Sequence, residues 1–156
     1  MPSTEANTIL IVEDELIVAL DLKQTLTGLG FRVLGMATAQ SEAVSLALAL
    51  RPQLVLMDIN LGAGGDGISA AAEINRAIDI PIVFLTAYAD NDILRRAGQV
   101  APHGYLVKPV QQRELNAVVQ MALARFRASL GRMQADAARL VREIGVLDQM
   151  RSANAA

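Results

Sequence analysis

The chain has 156 residues, 53% hydrophobic and only 3% aromatic, with a formal charge of −2. That length suits one domain with something left over, and the apolar content is enough for a full core, which must be aliphatic. The lack of cysteine excludes a disulfide framework and any thiolate metal site, and no apolar run reaches the roughly 18 residues of a membrane span. Residues 1–8 are polar, with no basic or apolar leader pattern, so a cytoplasmic protein with no membrane partner is expected. The charge is uneven. Residues 1–124 carry 8 Lys+Arg against 13 Asp+Glu, and residues 125–156 carry 6 against 3. The basic tail raises nucleic-acid contact as one reading, but interspersed Arg and Asp/Glu on a helix is more often a solvated face.

Residues 1–7 are expected to be disordered. Thr8-Ile9-Leu10-Ile11-Val12 is a short β-branched run and reads as a strand, ending in Glu13-Asp14-Glu15. Acids suit the first turn of a helix, which accounts for Glu15. Three in a row repel one another, and the functional reading is a hard cation held by oxygen ligands. A helix follows to a glycine stop at Gly28 and Gly30. Phe31–Ala37 reads as a second strand, and a helix opening between Thr38 and Ser41 is closed by Pro52. Leu54-Val55-Leu56-Met57 runs straight into Asp58, the pattern of a strand buried on both faces with a carboxylate at its end. Leu61–Gly67 is a glycine-rich turn that lacks a Walker or dinucleotide spacing, and an Ala-rich helix spans Ile68 to Ile78. Ile80–Leu85 is a fourth strand with Thr86 at its end, a residue often no more than a helix cap. Asp90 to Gly98 reads as a short polar helix of low stability. Gly104–Val107 is a fifth strand ending in Lys108-Pro109, a bond that is a candidate for cis. His103, the single histidine, reads as surface or structural.

Five strands alternating with helices predict an α/β fold, a doubly wound five-stranded parallel sheet covered on both faces. Right-handed crossovers bring the carboxyl ends of several strands to one edge, where ligands gather in open α/β sheets. Glu13/Asp14, Asp58, Thr86 and Lys108 all stand at such ends. Each has an ordinary structural explanation alone. Together they assemble an acidic cluster for a divalent cation, a hydroxyl and an ammonium around one carboxylate.

Ile11-Val12-Glu13-Asp14-Glu15, Met57-Asp58-Ile59-Asn60, Leu85-Thr86-Ala87 and Tyr105-Leu106-Val107-Lys108-Pro109 resemble, in order and spacing, the signature of the response-regulator receiver domain over residues 8–124. The resemblance implies a flavodoxin-like receiver fold and a two-component signalling protein that is not an enzyme in the ordinary sense. It implies a phosphoacceptor that takes its phosphoryl group from a sensor histidine kinase or phosphotransfer protein and promotes its own phosphorylation and dephosphorylation. Asp58 matches the phosphoacceptor. Glu13, Asp14, Asp58 and the Asn60 carbonyl match the Mg²⁺ ligands, Lys108 the phosphoryl-binding lysine, Thr86 the switch hydroxyl and Tyr105 the switch aromatic. Two stretches depart from the family. Leu61–Gly67 lacks the usual proline and is one residue longer, and Ala97–Gly104 replaces a more compact turn.

Val119, Leu123, Phe126, Leu130, Met133, Ala137, Leu140, Ile144 and Leu147 are spaced 4,3,4,3 throughout, an a/d seam running out of the last receiver helix. A coiled-coil extension over residues 125–151, continuous with an elongated last helix and forming a homodimer, is expected, with 152–156 frayed. The competing reading is an amphipathic helix folded back on its own domain. Several outputs remain open: a stand-alone receiver, the front of a longer regulator such as an RNA-binding antiterminator or a sensor kinase, or a receiver-like interaction module that is never phosphorylated. No nucleic-acid partner is expected for this stretch itself. A phosphatase with an aspartate nucleophile would carry a second carboxylate two residues on, where Asn60 stands.

Overall fold

The computed structural model describes residues 5–87 and 91–154. Strands β1 (Thr8–Val12), β2 (Arg32–Ala37), β3 (Leu54–Asp58), β4 (Ile82–Thr86) and β5 (Gly104–Val107) alternate with helices α1 (Leu16–Gly28), α2 (Gln40–Leu50), α3 (Gly67–Ala77), α4 (Asn91–Gln99) and α5 (Gln112–Asn154). The strands form one parallel sheet in the order β2-β1-β3-β4-β5. Every residue of β3 and β4 is buried, which is why those segments read as unbroken aliphatic runs rather than alternating ones.

Successive strand residues point to opposite faces, so one strand feeds two cores. Leu10, Val12, Val55, Met57 and Phe84 pack toward small residues of α2 and α3, including Ala43, Ala47, Ala70 and Ala71. Ile9, Ile11, Leu54, Leu56 and Leu85 pack toward Leu22 and Leu26 of α1 and Leu115 and Val119 of α5. Aromatic residues contribute little, as the composition requires.

Boundaries shift by a residue or two from the sequence pattern, in the usual way. β4 begins at Ile82 rather than Ile80, after Pro81, which has no N–H for the ladder. After α1, Gly30 takes φ +95°. α2 ends differently: Arg51, not a glycine, adopts the left-handed conformation with φ 46°, immediately before Pro52. Asp66 caps α3, its side chain accepting the Ile68 N–H at 3.0 Å and the Ser69 hydroxyl at 3.0 Å. The Lys108–Pro109 bond is cis. The His103 N–H donates to the Ile82 carbonyl at 2.9 Å.

Of the N-terminal stretch expected to be disordered, residues 1–4 lie outside the described residues, and the Asn7 carbonyl accepts the Arg32 N–H at 2.9 Å. Asp90, the expected first residue of α4, also lies outside them. The chain divides into two compact units, residues 1–123 and 124–156. α5 stays helical through Ser152–Asn154, and residues 155–156 lie outside the described residues. No described helix is long and apolar enough to cross a membrane.

Candidate functional site

The carboxyl ends of β1, β3, β4 and β5 meet around a pocket of about 200 Å³ whose lining includes Asp14, Asp58, Asn60, Thr86 and Lys108. Parallel pairing produces this directly. Val12 pairs with Met57, Asp58 with Leu85, and Thr86 with Val107, so the residues at or just past each strand end fall at one level. Glu13, Asp58 and Thr86 are polar side chains buried there among aliphatic neighbours.

Asp58 is held from two sides. Its Oδ1 accepts the Asn60 N–H at 3.0 Å, and its Oδ2 accepts the Lys108 ammonium at 2.7 Å. The same ammonium lies 2.7 Å from Glu13 Oε2. That second contact is ionic rather than a well-aligned hydrogen bond, since Glu13 Oε2 is a buried oxygen with no aligned donor. Glu13 Oε1 accepts the Glu15 N–H at 3.2 Å. Burial pushes the Glu13 carboxyl from 4.5 up to about 7, Lys108 opposes the rise, and the nearby Asp58 carboxylate adds to it. For Lys108 burial pulls the other way, but the hydrogen bond to Asp58 and the charges of Asp58 and Glu13 outweigh it and hold its pKa above the ordinary lysine value. The ammonium therefore stays charged between two carboxylates.

Glu13, Asp14 and Asp58 offer carboxylate oxygens within 4.8 Å of one another. Asp14 is exposed, whereas the other two are buried. An all-oxygen anionic set of this kind, with one buried oxygen lacking an aligned donor, fits a hard divalent cation. The donor chemistry suits Mg²⁺, which keeps several waters and takes only a few protein oxygens.

The loop after Asp58 is built on close backbone approaches. The Gly67 N–H donates to the Ile59 carbonyl at 2.8 Å, and a Cβ on Gly67 would stand 1.9 Å from the Asp58 carbonyl oxygen. No side chain fits there. Gly62, at φ +59°, passes Asp14 Oδ2 so closely that a Cβ would be 3.3 Å away. The Asn60 side chain accepts the Gly62 N–H at 2.9 Å. Gln40, at the start of α2, accepts the Asp66 N–H at 3.1 Å and donates to Glu73 of α3 at 2.9 Å. Arg96 of α4 forms an ion pair with Asp66. Gly67, Gln40 and Arg96 escaped the sequence reading. The glycine left a weak signal as the last of its run, and the other two left none.

Of the residues singled out from sequence, Glu13, Asp14, Asp58, Asn60, Thr86 and Lys108 come together. Tyr105 does not line this pocket. It sits on β5 at 36% exposure, its ring centroid 6.2 Å from that of Phe84, and its hydroxyl pKa is raised by burial. The Lys108 N–H donates to the Thr86 carbonyl at 2.8 Å, tying the ends of β4 and β5 together behind the site.

A doubly wound parallel sheet with a buried carboxylate at the end of its middle strand, an acidic pair on the neighbouring strand and a lysine two strands away defines a receiver-type fold. The family model for the response regulator receiver domain matches residues 9–120, and the chain belongs to that family. It is 38% identical over 131 residues to the transcriptional regulatory protein PdtaR of Mycobacterium tuberculosis H37Rv, covering 81% of this chain and 63% of that protein. It is 36% identical to the phyllosphere-induced regulator PhyR of Methylorubrum extorquens, covering 83% of this chain and 48% of that protein. The chain thus spans less than two thirds of the length of these relatives. Among solved structures, the signal receiver domain of a modulated diguanylate cyclase from Desulfovibrio desulfuricans G20 superposes with a TM-score of 0.76 at 37% identity, over 80% of this chain and 99% of that one.

Proposed function

We propose that this chain is a response-regulator receiver whose Asp58 accepts a phosphoryl group from a histidine kinase or phosphotransfer protein in a Mg²⁺-dependent step. The observation that carries the reading is the Lys108 ammonium bridging Asp58 and the buried Glu13 at 2.7 Å each, beside Asp14. Phosphoryl transfer needs in-line positioning and charge neutralisation more than covalent work by the protein.

In this reading an Asp58 carboxylate oxygen bonds to phosphorus while the P–N bond of the donor phosphohistidine breaks. The leaving imidazole keeps the electron pair. Asp58 is fixed for this by the Asn60 N–H and by Lys108. Lys108 then stays beside the new phosphoryl oxygens and offsets their charge. Glu13, Asp14, Asp58 and the Asn60 carbonyl would hold the cation, which supplies further charge neutralisation when bound. Thr86, at the end of β4 in the same pocket, donates its hydroxyl to the phosphoryl group, and Tyr105 follows inward beside Phe84. The switch is a population shift of the β4-α4-β5 edge. The seam of residues 130–147 pairs two copies of the chain into a homodimer.

Beryllofluoride, a phosphoryl mimic, tests this directly. Together with Mg²⁺ it is expected to raise the melting temperature of the wild type and to leave Asp58→Ala unchanged. A wild type indifferent to the mimic in the presence of Mg²⁺ would support a receiver-like interaction module instead.

A further inference from the structure

The described residues of the tail expose Met133, Leu140, Ile144 and Leu147, each more than half accessible. They lie on one seam, so a surface is waiting for cover. We infer that its occupant is a second copy of this chain running antiparallel, with Leu130 facing the partner's Leu147. The inference rests on the proposed pairing of two tails and adds its direction.

Take Leu130, Ala137 and Ile144 as heptad positions a and Met133, Leu140 and Leu147 as d. Arg151 is then the next a residue and Phe126 the preceding d. In a parallel pair each a residue faces its own copy. Ala137 would meet Ala137 and leave a gap, and Arg151 would meet Arg151. On the flanks, Glu143 would face the partner's Asp148, and apolar Val141 would face the partner's Asp136. Nothing in that arrangement offsets the acidic contact.

Reversing one helix changes every pairing. Position a now faces d, so Ala137 sits against the partner's Leu140, small against large, and Arg151 lies over the partner's Phe126 ring. Flanking positions pair e with e and g with g. Asp148 comes beside the partner's Arg127, and Val141 beside the uncharged Gln134 of the partner subunit. One acidic contact remains, Asp136 with the partner's Glu143. Asp136 already holds Arg139 of its own helix at 3.2 Å, which softens that repulsion. Each orientation therefore contains one like-charge pair, and only the antiparallel one adds an opposite-charge pair and fills the Ala137 layer. Flanking charges of this kind set orientation in coiled coils.

The chain has no cysteine, so introduced thiols report without interference. Full-length Leu130→Cys and Leu147→Cys variants would be oxidised separately and as an equimolar mixture. Light scattering of the wild type and of the reduced variants gives the mass first. The inference predicts a dimer by mass and a disulfide-linked dimer in the mixture only, because facing seam residues are within disulfide reach, whereas the two copies of residue 130 would stand about 25 Å apart. Cross-linking of Leu130→Cys with itself would overturn the direction and leave the pairing intact. A monomeric wild type would overturn the pairing and the direction with it. A dimeric wild type with no cross-link in either format would move the interface off this seam and overturn the inference. Met133→Cys with Ile144→Cys provides the same comparison if the first pair weakens association.

Discussion

The two units of this chain break the usual partition of residues in opposite senses. In residues 5–123 a full aliphatic core is buried, although Leu16 and Ile17 of α1 stay exposed, and the sharper anomaly is polar: Glu13, Asp58 and Thr86 lie buried at one sheet edge. In residues 124–154 the anomaly is apolar, with Met133, Leu140, Val141, Ile144, Leu147 and Met150 turned to solvent along a helix. Isolated exposed aliphatics mean little, but a periodic row of them does. Each unit thus keeps the kind of group that costs free energy when left alone, a crowded carboxylate set in one and a bare seam in the other. In the proposed reading each anomaly marks the place where something is to be added: a cation and a phosphoryl group in the first, a second helix in the second.

The largest effect should come from breaking the seam. Ile144→Asp removes from each copy one aliphatic side chain that the proposed dimer buries, at least about 3 kcal/mol in all, and should weaken self-association more than roughly a hundredfold. Sedimentation would detect it, while the melting temperature of the receiver unit should hardly move. Retained association would mean that the exposed row is not the interface.

Gly67→Ala attacks the other unit. Its Cβ would meet the Asp58 carbonyl at 1.9 Å, so β3 or the start of α3 must shift. A loss of about 3 kcal/mol in denaturant unfolding is expected, with a weakened response to beryllofluoride. Self-association should persist if the two units are energetically separate.

The pH dependence has a sign that follows from Glu13. Its folded pKa, about 7, lies above the ordinary 4.5, so its favourable contribution is complete below 4.5 and disappears as the pH rises through 7. Without metal, stability relative to Glu13→Gln should fall by up to about 3 kcal/mol over that window. Mg²⁺ should bind more weakly as pH drops below 7, because the proton competes for the same oxygen. Calorimetric Mg²⁺ titrations at two pH values check this. A flat difference between wild type and Glu13→Gln would show that the buried carboxyl is not the titrating group.

The smallest effect belongs to Arg96→Ala. The Asp66 pair it breaks is partly exposed, so the unfolding free energy should change by no more than about 1 kcal/mol. A larger loss would give the α4 contact a structural weight that its exposure does not suggest.

Much of the receiver is legible in the sequence because local rules carry it. Aliphatic runs such as Leu54–Met57 read as fully buried strands, and their alternation with helical spacing points to parallel order. Asp58, Thr86 and Lys108 stand out because each ends such a run. Contacts between residues distant in the chain are not legible. Gln40 meets Asp66 26 positions away, and Arg96 reaches Asp66 across 30. Neither residue type announces such a partner. The demand for glycine at 67 arises from the Asp58 carbonyl folded back against it, a constraint visible only once α3 packs. Arg51 takes a left-handed conformation that glycine adopts more readily, and nothing in its residue type signals this, although Pro52 bars any continuation of the helix as expected. In the tail the seam is plain from spacing, whereas its direction depends on charges that matter only when two helices meet.

The most direct test is to locate the phosphoryl group itself. The full chain would be incubated with a small-molecule phosphodonor and Mg²⁺, the acyl phosphate trapped by borohydride reduction, and the modified peptide sequenced by mass spectrometry. The account predicts a single modified site at Asp58, lost when Mg²⁺ is chelated and absent from Asp58→Asn. Modification at another carboxylate, or no Mg²⁺-dependent modification of a folded wild type, would contradict it.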